Sequence, residues 1–280
     1  MDNIRKMLYT GLIALLLVAQ ALAGVVVKTQ ETKSDGKKSS TSTIYMEGDR
    51  LRVDFNDGKQ DMTVIFRDDK QLFWVINKNK GTYTEMTREQ MEAMAEQVGD
   101  AMNQVNAQMA EAMKKMEKEM EGMNEKQKEM MRKMMPNLKN MGGQPGAEML
   151  PKTTYSAQGN ATVNAWKTTH YVGTEDGEKV EEVWAAEPSE MGLSKNDFSA
   201  FVKMGEFFKS FTDKMGVRNS IPIYGSEDQG YEGLPVKSVR FENGKVTHTT
   251  EVTSVNKESI SAGQFELDSN LKKENMPTMR

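Results

Sequence analysis

Two hydrophobic periods divide the chain. Between residues 25 and 86 apolar and polar positions alternate in short runs: "VVVKTQET", "TSTIYME", "RLRVDFN", "MTVIFR" and "QLFWVIN". In "RLRVDFN", Leu51, Val53 and Phe55 point one way while Arg52 and Asp54 point the other, which predicts a strand with one buried and one wet face. Turn chemistry separates the runs at Glu47-Gly48-Asp49, Asn56-Asp57-Gly58, Asp68-Asp69 and Asn77-Lys78-Asn79. With about ten residues per strand, the pattern predicts an antiparallel meander.

From Arg88 to Met135 the period changes. Thr87 and Gln90 form a capping-box pattern at the start. Apolar residues then fall at positions 91, 94, 98, 102, 105, 109, 113, 116 and 120. This eleven-residue repeat, about 3.67 residues per turn, suits a nearly straight helix or coiled coil. Unbroken, the helix would extend roughly 70 Å. Gly99 and Gly122 are points where it could bend, Pro136 stops it, and "NMGGQPGAEMLP" reads as a return loop.

Strand signals resume at Thr153. "TVNAWKTTHYVG" and "KVEEVWAAE" flank the turn "TEDG" as a hairpin. Ser194 is placed to cap a second helix, with Phe198, Phe201, Phe208, Phe211 and Met215 on one face and Phe207 offset from them. Asn243-Gly244 lies between alternating runs and predicts a type I′ hairpin turn. "GQFELDSN" closes the domain, and the tail from Lys272 reads as loose. The elements add up to one α+β domain built on an antiparallel sheet.

The N-terminus adds a destination. Arg5 and Lys6 precede "GLIALLLVAQALA", which ends on Ala21-Leu22-Ala23. A charged start, a short apolar run and a small-residue site predict a secretory signal peptide cleaved after Ala23. The expected divisions are 1–23 signal, 24–87 first meander, 88–150 Met-rich helical insertion with its return, 151–271 second β part with one helix, and 272–280 tail. The chain has no cysteine, which excludes disulfides, thiolate metal sites and a Cys nucleophile. Export without disulfides points to a bacterial periplasm, with secretion as the alternative. Lys plus Arg number 37 against 41 Asp plus Glu, so nothing favours a nucleic-acid partner.

"YMEGDRLRVDFNDG", "IFRDDKQLFWVINKNKGTYTEM", "VEEVWAAEP" and the ending "EVTSVNKESISAGQFELDSNLKKENMP" together resemble the exported bacterial family called domain of unknown function 4412. That family is similar in turn to the lipoprotein-carrier half-barrel. The resemblance implies an antiparallel sheet curved into a half-barrel, helices packed on one face, and an apolar ligand (lipid, acyl chain or apolar client) beneath them. It supplies no site motif. On this reading Phe66, Phe73, Trp74, Trp166, Trp184, Phe201 and Phe208 are the candidates to line the cavity. Met113, Met116 and Met120 are the candidates to contact ligand from a helical lid.

The 24 methionines need weighing against plainer roles. Packing on a sheet or partner helix is the first explanation for their stripe. An adaptable apolar surface is the second. Cu(I) or Ag(I) binding by Met113, Met116, Met120 and Met123 is the third, because these thioethers fall at helical spacing. The same stripe makes a docking surface for a partner protein or a second copy, so a structural module is the competing function. His170 reads as a hydrogen-bonded sheet residue and His248 as an exposed one. No nucleophile-elbow, zinc-protease, phosphate-loop or dinucleotide pattern occurs, so the sequence predicts no enzyme and no cofactor.

Overall fold

The computed structural model describes residues 23–121, 153–214 and 229–275. The signal-peptide reading, Met123, Met215 and Pro136 with its return loop therefore lie outside the described residues, and of Phe211 only the backbone is described. Side chains of Met102, Met113, Met116 and Met120 are likewise outside the description.

Six strands come first: β1 Gly24–Lys33, β2 Lys38–Glu47, β3 Arg50–Asn56, β4 Asp61–Arg67, β5 Leu72–Asn77 and β6 Thr82–Thr87. Helix α1, Arg88–Glu121, follows directly. Then come β7 Thr154–Val163, β8 Trp166–Glu175, β9 Glu178–Ala186, helix α2 Ser199–Lys214, β10 Leu234–Glu242, β11 Lys245–Glu258 and β12 Lys272–Lys273. They form one open, curved sheet in the order β12-β6-β5-β4-β3-β2-β1-β11-β10-β9-β8-β7. Every pairing is antiparallel except β12 on β6. The first strand, pairing with both β2 and β11, joins the two meanders into one surface.

Local chemistry sets several boundaries. Gln90 Oε1 accepts from the Thr87 N–H at 3.0 Å and Thr87 Oγ1 accepts from the Gln90 N–H at 3.2 Å, which closes the capping box of α1. Asn243 and Gly244 have φ of 52° and 72°, the left-handed pair that a type I′ turn needs. Asn164, at φ 53°, breaks the expected strand "TVNAWKTTHYVG" into the end of β7 and the start of β8. An asparagine tolerates that conformation, so a continuous strand was one element too few.

The register separates two faces. Val25, Met46, Leu51, Phe66, Phe73 and Met86 are successive cross-strand partners along one of them. That face is covered by α2 and the first turns of α1, where Met91 and Ala95 are buried. Helix α2 is seated by Ser199 Oγ donating to Gly48 O at 2.7 Å and by Lys203 pairing with Asp49 and Asp68. Phe207 stands at its centre, fully buried, with rings of Phe66, Phe73 and Phe208 at 5.6, 5.9 and 5.4 Å.

The opposite face was expected to be wet, and it is not. Val26, Tyr45, Arg52, Ile65 and Trp74 form its row, and residues 259–271 cross over it as a strap. Phe265 of the strap is fully buried and Ile260 nearly so. Arg67, itself buried, donates to Phe265 O at 3.1 Å, to both oxygens of Asp69 and to Glu266, while Lys70 reaches Glu266 at 2.8 Å. Arg52 Nη1 donates to Gln264 O at 2.9 Å. The expected loose tail begins as β12, paired with Thr82 and Tyr83, and Lys273 reaches Glu85 at 2.6 Å.

These ion pairs make the strap acid-sensitive. Lys70 and Arg67 outweigh burial and hold the Glu266 carboxyl below its ordinary value. Arg67 does the same for Asp69, as do Lys273 and the Trp74 indole for Glu85. The unfolded chain therefore takes up protons at a higher pH than the folded one. The stabilisation is complete at neutral pH and is lost as pH falls below about 4. Hydrogen exchange of residues 260–267 is expected to stay slow down to about pH 5 and to accelerate below about pH 4. Unchanged protection at the lowest pH would refute the role of these carboxylates.

Candidate functional site

Between the sheet and the chain that leads into α2 lies an apolar cavity of about 300 Å³. Its floor is Val27 and Ile44 from β1 and β2 with Val252 and Val255 from β11, and Val236 closes one wall. Its roof is Met191, Leu193, Phe198 and Phe201. Alternation puts Val27 on this face of β1. A register shift opposite Lys28 and Thr29, where β11 carries Thr253 as an extra residue, brings Val255 and Val252 to the same face although they are three positions apart. Alternation along β10 puts Val236 on the cavity face with Ser238, and an irregularity in the pairing with β9 lies between Pro235 and Lys237.

Two local devices hold the walls. Gly233 has φ +90°, and a Cβ there would lie 2.8 Å from the Ala186 carbonyl oxygen, so only glycine enters β10 at this point. Ser194 starts the roof: its N–H and hydroxyl both donate to Asp197, at 2.6 and 2.9 Å. The residues it leads are a 3₁₀ turn, Lys195–Phe198, that runs into α2 rather than the single helix expected. Burial pushes the Asp197 carboxyl up, but Ser194 and Lys257, 3.0 Å away, together bring it below its ordinary value.

The polar groups gather on one side. Thr29, Ser238 and Thr250 border the cavity, and among the described residues Lys237 is the only charged one in its lining. The Lys237 ammonium pairs with Glu251 at 2.7 Å and lies 5.5 Å from the Trp184 ring.

The candidates from sequence scatter across this geometry. Phe201 borders the cavity. Phe66, Phe73 and Phe208 share its face but pack around Phe207 beside it. Trp74 is on the other face, beneath the strap, with Nε1 donating to Glu85 at 2.8 Å. Adjacent residues of a strand point to opposite sides, so Phe73 and Trp74 could not both have lined one pocket. Trp184 is likewise turned away, being the cross-strand partner of Lys237 and not of Ser238. It stacks on His170 at 4.4 Å and 10°, and His170 Nε2 is buried without the hydrogen bond expected of it among the described residues. His248, expected to be exposed, is partly buried on β11. Trp166 packs near Val236 and Val252 but does not border the cavity.

Among the described residues none of α1 lines the cavity, and the side chains of Met113, Met116 and Met120, expected to contact ligand from a lid, lie outside the description. The stripe on α1 changes character along its length: Met91 is buried, Met94 and Val98 are partly buried, and Val105 is 48% exposed. The valines and Met191 that build the cavity were missed. Alternation was an available signal for Val27 and Val236, outweighed by the pull of the aromatic residues, whereas the bulge that brings Val252 and Val255 to one face has no local signal.

A second, polar cleft of about 530 Å³ lies over β7 and β8, bordered by Lys167, Tyr171, Glu187, Glu190 and Glu232. Near it Tyr155 donates to Glu181 at 2.6 Å, and burial first, then Glu181, raises its phenol. Burial pushes Tyr231 up to about 12. Both phenols therefore keep their protons at neutral pH. Among the described residues no group of His, Asp and Glu is arranged to hold a metal, and no helix is long and apolar enough to cross a membrane.

No family model and no curated protein matches the chain. Among solved structures it is similar to an uncharacterized conserved protein from Thermus thermophilus, with 8% identity, 91% of each chain covered and a TM-score of 0.42. It is also similar to MucB, with 11% identity, a TM-score of 0.36 and 91% of this chain on 60% of that one. A putative outer membrane lipoprotein-sorting domain from Vibrio parahaemolyticus gives 7% identity, 88% and 90% coverage and a TM-score of 0.24. Likenesses this distant leave the cavity itself as the guide to function.

Proposed function

We propose that the protein is an exported, non-catalytic carrier that takes an apolar ligand into the cavity under Met191–Phe201. The observation that carries this reading is the cavity: a space of about 300 Å³ whose floor, roof and side wall are aliphatic or aromatic. That size falls at the lower end of small-molecule sites. A partly open apolar hollow gains by taking up an apolar guest, which removes its lining from water. The resemblance to the domain of unknown function 4412 family, itself similar in fold to lipoprotein carriers, and the signal-peptide pattern support the same reading, with the periplasm as its compartment.

Filling the space is the direct test. Val252→Phe puts a ring where Val252 lines the floor and is expected to weaken binding of an environment-sensitive naphthylamine dye at least about tenfold. Overpacking there is expected to cost about 1–3 kcal/mol of stability, so the variant stays folded. Native dye binding that V252F leaves unchanged would refute the site. Mass spectrometry of a solvent extract from the natively purified chain would identify the guest.

A structural module is the second reading, favoured by Val105, 48% exposed on the apolar stripe of α1. It predicts concentration-dependent dimers in sedimentation, and a strictly monomeric chain would exclude self-association.

A further inference from the structure

The walls of the cavity also select the head of the guest. Ser238 and Thr250 are direct cross-strand partners, and Thr29 is paired with Val252 one step along the same face. Three hydroxyls from three strands therefore border one side of an otherwise apolar space. Among the described residues none of the three is hydrogen-bonded to another group, so each has a donor and acceptors to offer.

The cation in the described lining, Lys237, is not free to meet a ligand. Lys237 is held by Glu251 at 2.7 Å. Lys257, two positions beyond Val255, is held by Asp197 at 3.0 Å. The next position past Thr29 on the same face is a carboxylate, Glu31, which is opposite Thr250 on one side and Ser40 on the other. Its Oε1 accepts from Ser39 Oγ at 2.6 Å and from Ser40 Oγ at 3.4 Å, so its acceptor capacity is partly used within the wall.

Resting on the carrier reading, we infer that the ligand is a neutral single-chain amphiphile whose head carries hydroxyl groups, of the monoacylglycerol kind. A cavity of about 300 Å³ has room for one chain and not several. A carboxylate, phosphate or sulfonate head would meet no free cation and would face Glu31, leaving its desolvation uncompensated. An ammonium head would find Glu31 engaged by two serines and three hydroxyls that satisfy a neutral head better. A hydroxylated head exchanges hydrogen bonds with Thr29, Ser238 and Thr250 in both directions, with no charge to desolvate.

The test is displacement of the naphthylamine dye from the purified protein by monolaurin, laurate and dodecylamine. The three share one chain length, and all are used below their micelle concentrations near about pH 8, where the acid and amine are charged. Monolaurin is expected to displace the dye at a concentration at least about tenfold lower than either charged probe. Thr250→Val keeps the β-branched shape and removes the hydroxyl, and it is expected to narrow that preference while dye binding persists. Ser238→Ala is the second variant should Thr250→Val disturb the strand. Equal or tighter binding of laurate or dodecylamine overturns the inference and leaves the carrier standing. A preference that both variants leave untouched also overturns it. Failure of the dye and every amphiphile to bind overturns the carrier reading and this inference with it.

Discussion

Phe207→Ala is expected to lower the unfolding free energy by about 3–5 kcal/mol, the range for deleting a fully buried Phe. The side chain has no exposed surface and touches three aromatic rings, Phe66, Phe73 and Phe208. The Arg88 guanidinium also lies 5.0 Å from its ring, so one residue ties α2 to β4, β5 and the start of α1. The rings are fixed by strand registers and cannot close the hole without breaking them. Urea unfolding would show the midpoint falling with the slope retained. Because Phe201 on the same helix roofs the cavity, dye binding is expected to weaken in parallel. A loss below about 1 kcal/mol would mean that α2 is seated by its polar contacts to Gly48, Asp49 and Asp68 instead.

Phe265→Ala is the second large effect, again about 3–5 kcal/mol. Phe265 is fully buried against the Ile65 and Trp74 face, and Arg50 lies 4.9 Å from its ring. Its carbonyl accepts from Arg67, so loosening the ring also disturbs a buried guanidinium. The expected signature differs from that of Phe207→Ala. The strap should become protease-sensitive between residues 259 and 271, while dye binding under α2 changes little, because the two clusters lie on opposite faces. If cleavage of the strap and loss of dye binding moved together, the faces would be coupled more tightly than the geometry implies.

These two residues also show what a sequence reveals and what it hides. Phe207 was legible as an aromatic offset from the other phenylalanines, but local spacing does not say what lies on that side. In the fold that offset points it into the sheet between Phe66 and Phe73, and it becomes the anchor. Phe265 was read only as part of "GQFELDSN", the segment that closes the domain. Its partners Arg50 and Arg67 are about two hundred residues away, and no local pattern announces such a contact. The same distance hid the covering of the second face. Alternation correctly separated Leu51 from Arg52, but it cannot say whether the polar side meets water or a strap.

Local chemistry was the legible part. The capping box of Thr87 and Gln90, the type I′ turn at Asn243-Gly244 and the short strands between turn clusters each depend on residues a few positions apart. Tertiary structure decided the rest. The pairing of β1 with β11 joined two meanders into one sheet, and the register shift opposite Lys28 and Thr29 put Val252 and Val255 on one face. Register then put Phe73 and Trp74 on opposite faces and gathered Thr29, Ser238 and Thr250 on one. Residue types and local spacing belong to the sequence. Which side chains share a cavity belongs to strand register, because a shift of one residue moves every side chain to the other face.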